Sequence, residues 1–181
     1  MIWGSTFRGN HATEWGNVHE DVAALLYERY MTTKFYAKEN DPNLLGFGQS
    51  KRIFEVTFPN LIVPREFPWA GVSPDGFVND NGLLGGLEIK CPFRQTLYPV
   101  IPRTYNDQIQ GSMGFLGLSF WDFVVWTPNE LQIRRFEFNK AYWEQELFPK
   151  LESFYMEQFL PALVHKKNNR LEHGSTIPFL Q

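Results

Sequence analysis

The chain has 181 residues, 43% of them hydrophobic, with 17 Phe, 7 Tyr and 6 Trp, which suits one domain with a real core and argues against a disordered chain. A net charge of −3 excludes a protein that coats nucleic acid through bulk positive charge, while a local basic groove stays compatible with it. The single cysteine, Cys91, excludes an intramolecular disulfide and a four-cysteine iron–sulfur cluster built by this chain, and fits a reducing, intracellular compartment. No apolar run reaches membrane-spanning length, and the first residues lack the charged start and apolar stretch of a secretory signal, so no membrane partner is expected.

Along the chain, Thr13 to about Lys38 reads as a helix, with Trp15, Val18, Val22, Leu25, Leu26 and Tyr30 at helical spacing and Asp41-Pro42-Asn43 as its breaker. Ile53 to Phe58 is a strand, and Leu61 to Val63 a shorter one. Strands around Phe77-Val78 and over Leu87 to Cys91 form a hairpin through Asn81-Gly82. A helix follows from about Thr104 to Leu116, then two strands, Phe120 to Trp126 and Leu131 to Phe138, joined across Pro128-Asn129. A long amphipathic helix runs from about Lys140 to Leu163, with Pro149 and Pro161 as points of kinking or division. This order suits an α/β chain with a central mixed sheet flanked by helices, a single domain over 1–181 with its core at about 12–163 and a loose tail at 164–181.

The chemistry concentrates in Gly71-Val72-Ser73-Pro74-Asp75-Gly76 and Glu88-Ile89-Lys90. Side chains two apart on a strand share a face, so Glu88 and Lys90 project together, and Asp75 reaches them if its segment pairs with theirs. Two carboxylates and an ammonium at one point make little sense as packing. They suit a Mg²⁺ site, one or two ions with Mn²⁺ as substitute, because Mg²⁺ takes hard oxygen ligands from one or two carboxylates plus substrate phosphate. Asp75, Glu88 and the Ile89 backbone carbonyl are the candidate ligands, and Lys90 orients or deprotonates water or offsets transition-state charge. Glu-x-Lys alone is a weak signal, since solvated strand faces carry such pairs. The apolar flanks Leu83, Leu84, Leu87 and Ile89 point instead to a covered sheet.

Four segments in order, Trp15-Gly16-Asn17-Val18-His19-Glu20, Gly71 to Gly76, Gly86-Leu87-Glu88-Ile89-Lys90-Cys91-Pro92 and Tyr105-Asn106-Asp107-Gln108-Ile109-Gln110-Gly111, resemble the motif series of the bacteriophage lambda exonuclease-like, YqaJ-type viral recombinases. The resemblance spans roughly residues 12 to 160. It implies a PD-(D/E)xK restriction-endonuclease-like core and a Mg²⁺-dependent phosphodiester hydrolase that digests linear double-stranded DNA from the 5′ end, leaving overhangs for a single-strand annealing protein. It also implies a trimeric homo-oligomer. It places Glu20 at the metal centre, directly or through water, Gln108 near the catalytic centre, and Ser73 on DNA, with Gln110 meeting substrate or a neighbouring element. Relatives carry an arginine tied to the 5′-phosphate before the first helix, and Arg8 is the arginine in that stretch here.

Residue by residue, plainer readings stand beside these. Glu20 also reads as a solvent-edge glutamate, Gln108 and Gln110 as helix-surface amides, Ser73 as a turn residue, and His19 as a surface or core-edge side chain. Cys91 points away from Lys90 into packing, and of Trp3, Trp15, Trp69 and Trp143 most read as core before they read as base-stacking platforms. Basic residues available to a groove are Arg8, Lys51, Arg52, Arg94, Arg103, Lys166, Lys167 and Arg170. The competing functions are an endonuclease on the same core and a non-catalytic DNA-binding or assembly subunit. Cleavage of a closed circle marks the first, and metal-independent binding without turnover the second.

Overall fold

The computed structural model describes residues 9–39 and 53–172. The chain divides into two compact units, Gly9–Lys140 and a second that holds the chain from Ala141 onward. Trp3, Arg8, Lys51 and Arg52 lie outside the described residues.

The first unit opens on helix α1, His11–Glu39, whose first turn is capped by the Asn10 side chain accepting from the Thr13 amide at 3.0 Å. Five strands follow in a single sheet: β1 Phe54–Thr57, β2 Gly76–Asp80, β3 Leu83–Lys90, β4 Phe120–Trp126 and β5 Leu131–Glu137, lying side by side in chain order. The β1–β2, β2–β3 and β4–β5 pairs are antiparallel and β3–β4 is parallel. A parallel step needs a crossover, and helix α2, Arg103–Leu116, supplies it. The β2–β3 turn is Asn81-Gly82, both at positive φ (57° and 89°), as a two-residue hairpin with the sheet's own twist demands. The expected strand at Leu61 to Val63 is only a bridge between Ile62 and Val72.

Alternation along β3 and β4 divides the core into two layers. Leu87, Ile89, Phe120, Val124 and Trp126 pack with Ala23, Ala24 and Tyr27 of α1. Trp121, Phe123 and Val125 face the other way, against Ile109 and Met113 of α2. Every residue of β4 is buried, as a strand covered on both faces requires. Gly85 and Gly86 admit these aromatics: a Cβ on Gly86 would sit 2.1 Å from the Trp121 ring, and one on Gly85 2.2 Å from Phe120.

Helix α1 differs from the expectation. Its buried stripe is Ala23, Ala24 and Tyr27, while Val18, Val22, Leu25, Leu26 and Tyr30 are exposed. Small residues let the helix approach the sheet closely. The reason for burying Tyr27 is polar: its hydroxyl donates to Asp122, which is wholly buried in the middle of β4. Arg135 closes the network, donating to Asp122 through Nε and Nη2, both at 2.8 Å, and to Asp80 through Nη1 at 2.9 Å.

The second unit is helical through Glu172, past the helix end expected at Leu163; good helix formers such as Lys166 and Lys167 favour the extension. Helix α3, Lys140–Tyr142, leads into a π-helical stretch, Trp143–Leu147; α4, Phe148–Ser153, leads into a second, Phe154–Phe159; α5, Leu160–Glu172, ends the segment. Each π stretch stops one residue short of the position before Pro149 or Pro161. A proline ring clashes with the carbonyl four residues back, and widening the preceding turn relieves it. Among the described residues no helix is long and apolar enough to cross a membrane.

Candidate active site

The site forms where β2 leaves β3. Their ladder ends at Gly76↔Leu87, closed by a last bond from the Asp75 amide to the Leu87 carbonyl at 3.1 Å. Proline cannot continue a ladder, and at Ser73-Pro74 the chain turns off. The Ile89 amide therefore has no partner in β2, and Asp75 Oδ2 accepts it at 2.6 Å. This bond fixes the Asp75 carboxylate at the open edge of β3. A strand residue's N–H and C=O project to the same side, so the Ile89 carbonyl faces that edge too.

Glu88 and Lys90 project together toward α2. The Lys90 ammonium donates to Glu88 Oε1, and Gln108 Nε2 donates to the same oxygen at 2.8 Å. Lys90 Nζ also lies 5.4 Å from the centre of the Tyr105 ring. Glu88 is buried at 3% exposure, so these donors offset the loss of its hydration. Glu20 reaches the group from α1, close enough for Asp75 and Lys90 to perturb it.

Charge in the site is strained toward the negative. Burial raises the pKa of Glu88, Asp75 and Glu20 above the ordinary carboxylate range; Asp75 adds to the rise at Glu88 and Glu20, and Lys90 opposes it at all three. Burial disfavours the Lys90 ammonium, but Glu88 and Asp75 outweigh it and leave its pKa raised. Among the described residues no three His, Cys, Asp or Glu side chains form a metal-ligating group. Mg²⁺ needs no such cage, since one or two carboxylates and water suffice. Asp75 and Glu88 each hold one oxygen in a protein hydrogen bond and keep a second, and their raised proton affinity is the excess of negative charge that a hard cation relieves. The donor set fits.

The other expected residues separate. Gln110 is buried and spends its amide on β5, donating to the Glu137 carbonyl at 3.0 Å and accepting from the Asn139 amide at 2.8 Å. It therefore braces a neighbouring element away from Gln108, because residues two apart on a helix point about 200° apart. Ser73 is exposed beside the turn. His19 is held in a stack between Trp15 and Trp126, with ring centres 3.9 and 5.0 Å away, and Cys91 packs in the α1 layer with its thiol pushed up to about 11 by burial. The Tyr27–Asp122–Arg135–Asp80 network was not anticipated from the sequence. Its signal was an aspartate inside a seven-residue apolar strand, which demands a buried partner.

The sheet, its flanking helices and the Asp75/Glu88-x-Lys90 edge define a PD-(D/E)xK restriction-endonuclease-like core. The chain belongs to the YqaJ-like viral recombinase domain family, which matches residues 2–118. Among solved structures it is similar to an alkaline exonuclease, LHK-Exo, from Laribacter hongkongensis, at 23% identity and a TM-score of 0.58, over 90% of this chain and 76% of that one. The same exonuclease in complex with dAMP matches at 21% identity and a TM-score of 0.58, over 92% of this chain and 75% of that one. No curated protein matches the chain.

Proposed function

We propose that the chain is a divalent-metal-dependent exodeoxyribonuclease that digests one strand of linear double-stranded DNA from the 5′ end, acting in viral or phage recombination. The observation that carries this reading is the edge of β3, where Asp75 is fixed by the Ile89 amide beside a Glu88 held by Lys90 and Gln108. The remaining oxygens of Asp75 and Glu88, the Ile89 carbonyl and, through water, Glu20 would hold Mg²⁺ or Mn²⁺. A metal bound there supplies an activated water and polarises the phosphoryl group.

The chain's own residues set the geometry. Gln108 fixes the rotamer of Glu88, and its neutral amide does so without changing the local charge. Lys90, steadied by Glu88 and the Tyr105 ring, holds positive charge where the phosphoryl oxygens gain negative charge. Ser73, exposed at the mouth of the turn, offers a hydroxyl to a DNA phosphate. The overhang left behind suits a single-strand annealing protein, and a trimer is the assembly the family resemblance implies.

The test is Mg²⁺-dependent digestion of a linear duplex labelled separately at each 5′ end, beside a covalently closed circle. Loss of the linear duplex alone, with a drop of about 10²–10³-fold in Lys90→Ala, supports the reading, and label release gives the polarity. Cutting of the circle replaces the exonuclease by an endonuclease. Full activity in Lys90→Ala removes Lys90 from the mechanism.

A further inference from the structure

The loop that leads into α2, the first turn of α2 and the exposed side of β5 enclose an open cleft of about 720 Å³ that the hydrolytic site does not use. Its lining includes the apolar residues Pro99, Val100 and Ile101, with Val100 80% exposed. It also includes Arg103, Asn106 and Arg134. We propose that this cleft holds the sugar–phosphate backbone of the substrate DNA strand, as a sequence-independent contact next to the hydrolytic centre. The proposal rests on the nuclease reading above and names where its substrate runs.

Three features support a phosphodiester chain as occupant. First, the charge is complementary. Arg134 spends Nη2 on the Tyr98 and Pro99 carbonyls, both at 2.9 Å, which fixes the guanidinium plane at the cleft while its other nitrogens keep their donors. Arg103 is 74% exposed and its pair with Asp107 is 3.6 Å long, a solvated pair that yields easily to a phosphate. Second, α2 begins at the cleft with Pro102 as N-cap and no side-chain cap, so the positive end of its dipole adds to the arginines. Third, a lining that mixes apolar side chains with cationic ones matches a backbone that alternates deoxyribose with phosphate. The neighbouring Arg135 takes no part, because its guanidinium is committed to Asp122 and Asp80.

The cleft is tied to the catalytic edge through two tyrosines. Arg134 holds the carbonyl of Tyr98, the Tyr98 and Tyr105 hydroxyls are 3.4 Å apart, and Lys90 lies over the Tyr105 ring. A strand whose scissile phosphate sits at Lys90 would thus pass a second set of phosphate donors. Such contacts set register without reading bases.

The experiment is equilibrium binding of a fluorescein-labelled linear duplex to the full chain in Ca²⁺, across a salt series, with Mg²⁺-dependent cleavage measured in parallel. Arg103→Gln should lower the slope of log K against log salt by about 1 and weaken binding several-fold. Arg103→Glu should weaken it further. Arg134→Lys, which keeps the charge but loses the fork, should fall between wild type and Arg103→Gln at an unchanged melting temperature. Wild-type slope and affinity in both Arg103 variants, with cleavage intact in the wild type, would place the substrate elsewhere and leave the nuclease standing. A wild type that neither binds nor cleaves DNA would overturn both.

Discussion

Replacing Arg135 with Met removes a cation paired with two buried carboxylates while keeping a side chain over the Phe120 ring, where the guanidinium carbon now sits 4.0 Å from the centroid. Asp122 has no exposed surface, so it does not recover its lost partner from water. Breaking a buried pair from one side costs about 3–5 kcal/mol. At about 2–4 °C per kcal/mol for a chain of this size, Arg135→Met should melt roughly 6–20 °C below wild type. Thermal denaturation followed by circular dichroism reads this directly. Asp122→Asn placed in the Arg135→Met background should restore part of the loss, since it removes the stranded charge, and the double-mutant cycle isolates that coupling. A melting point within about 2 °C of wild type, or no rescue by Asp122→Asn, would refute the account of a desolvated network. The consequence reaches the site: Tyr27, the network's contact on α1, lies seven residues from Glu20, about two helical turns.

The remaining expectations are independent of that network. In EDTA, Asp75→Asn keeps an oxygen for the Ile89 amide and removes a charge whose pKa is raised in the fold. A raised carboxyl contributes stability that is present below its unfolded value, near 3.8, and is lost as pH climbs through the folded one. Wild type should therefore lose melting temperature relative to Asp75→Asn as pH goes from about 4 to 7, and a relative gain would contradict the burial of this charge. Gly86→Ala should destabilise by at least about 1–3 kcal/mol in urea titration, because its Cβ meets the Trp121 ring with no room to move; a change below about 0.5 kcal/mol would mean the strands are spaced more widely. Cys91 is buried, with a thiol pKa near 11, so iodoacetamide at pH 8 should label it rapidly in urea and hardly at all in the native protein. Fast native labelling would show that the α1 layer opens.

Local rules in the sequence determined the alternation that sends Glu88 and Lys90 to one face and Cys91 to the other, the Asn81-Gly82 hairpin, the crossover helix and the separation of Gln108 from Gln110. Each follows from a period or a turn conformation that a few adjacent residues set. Tertiary structure alone decided the rest. Helical spacing marked Val18, Val22, Leu25 and Leu26 as apolar, but the stripe against the sheet became Ala23, Ala24 and Tyr27, because close approach and the Asp122 carboxylate select the face. Gln110 became a brace for β5 once the Glu137 carbonyl and Asn139 amide, far along the chain, came within reach. Asp75 became fixed only where β2 leaves β3 and strands an amide. These outcomes turn on which distant polar groups lose water together, and a desolvated group takes the partner that the fold brings to it.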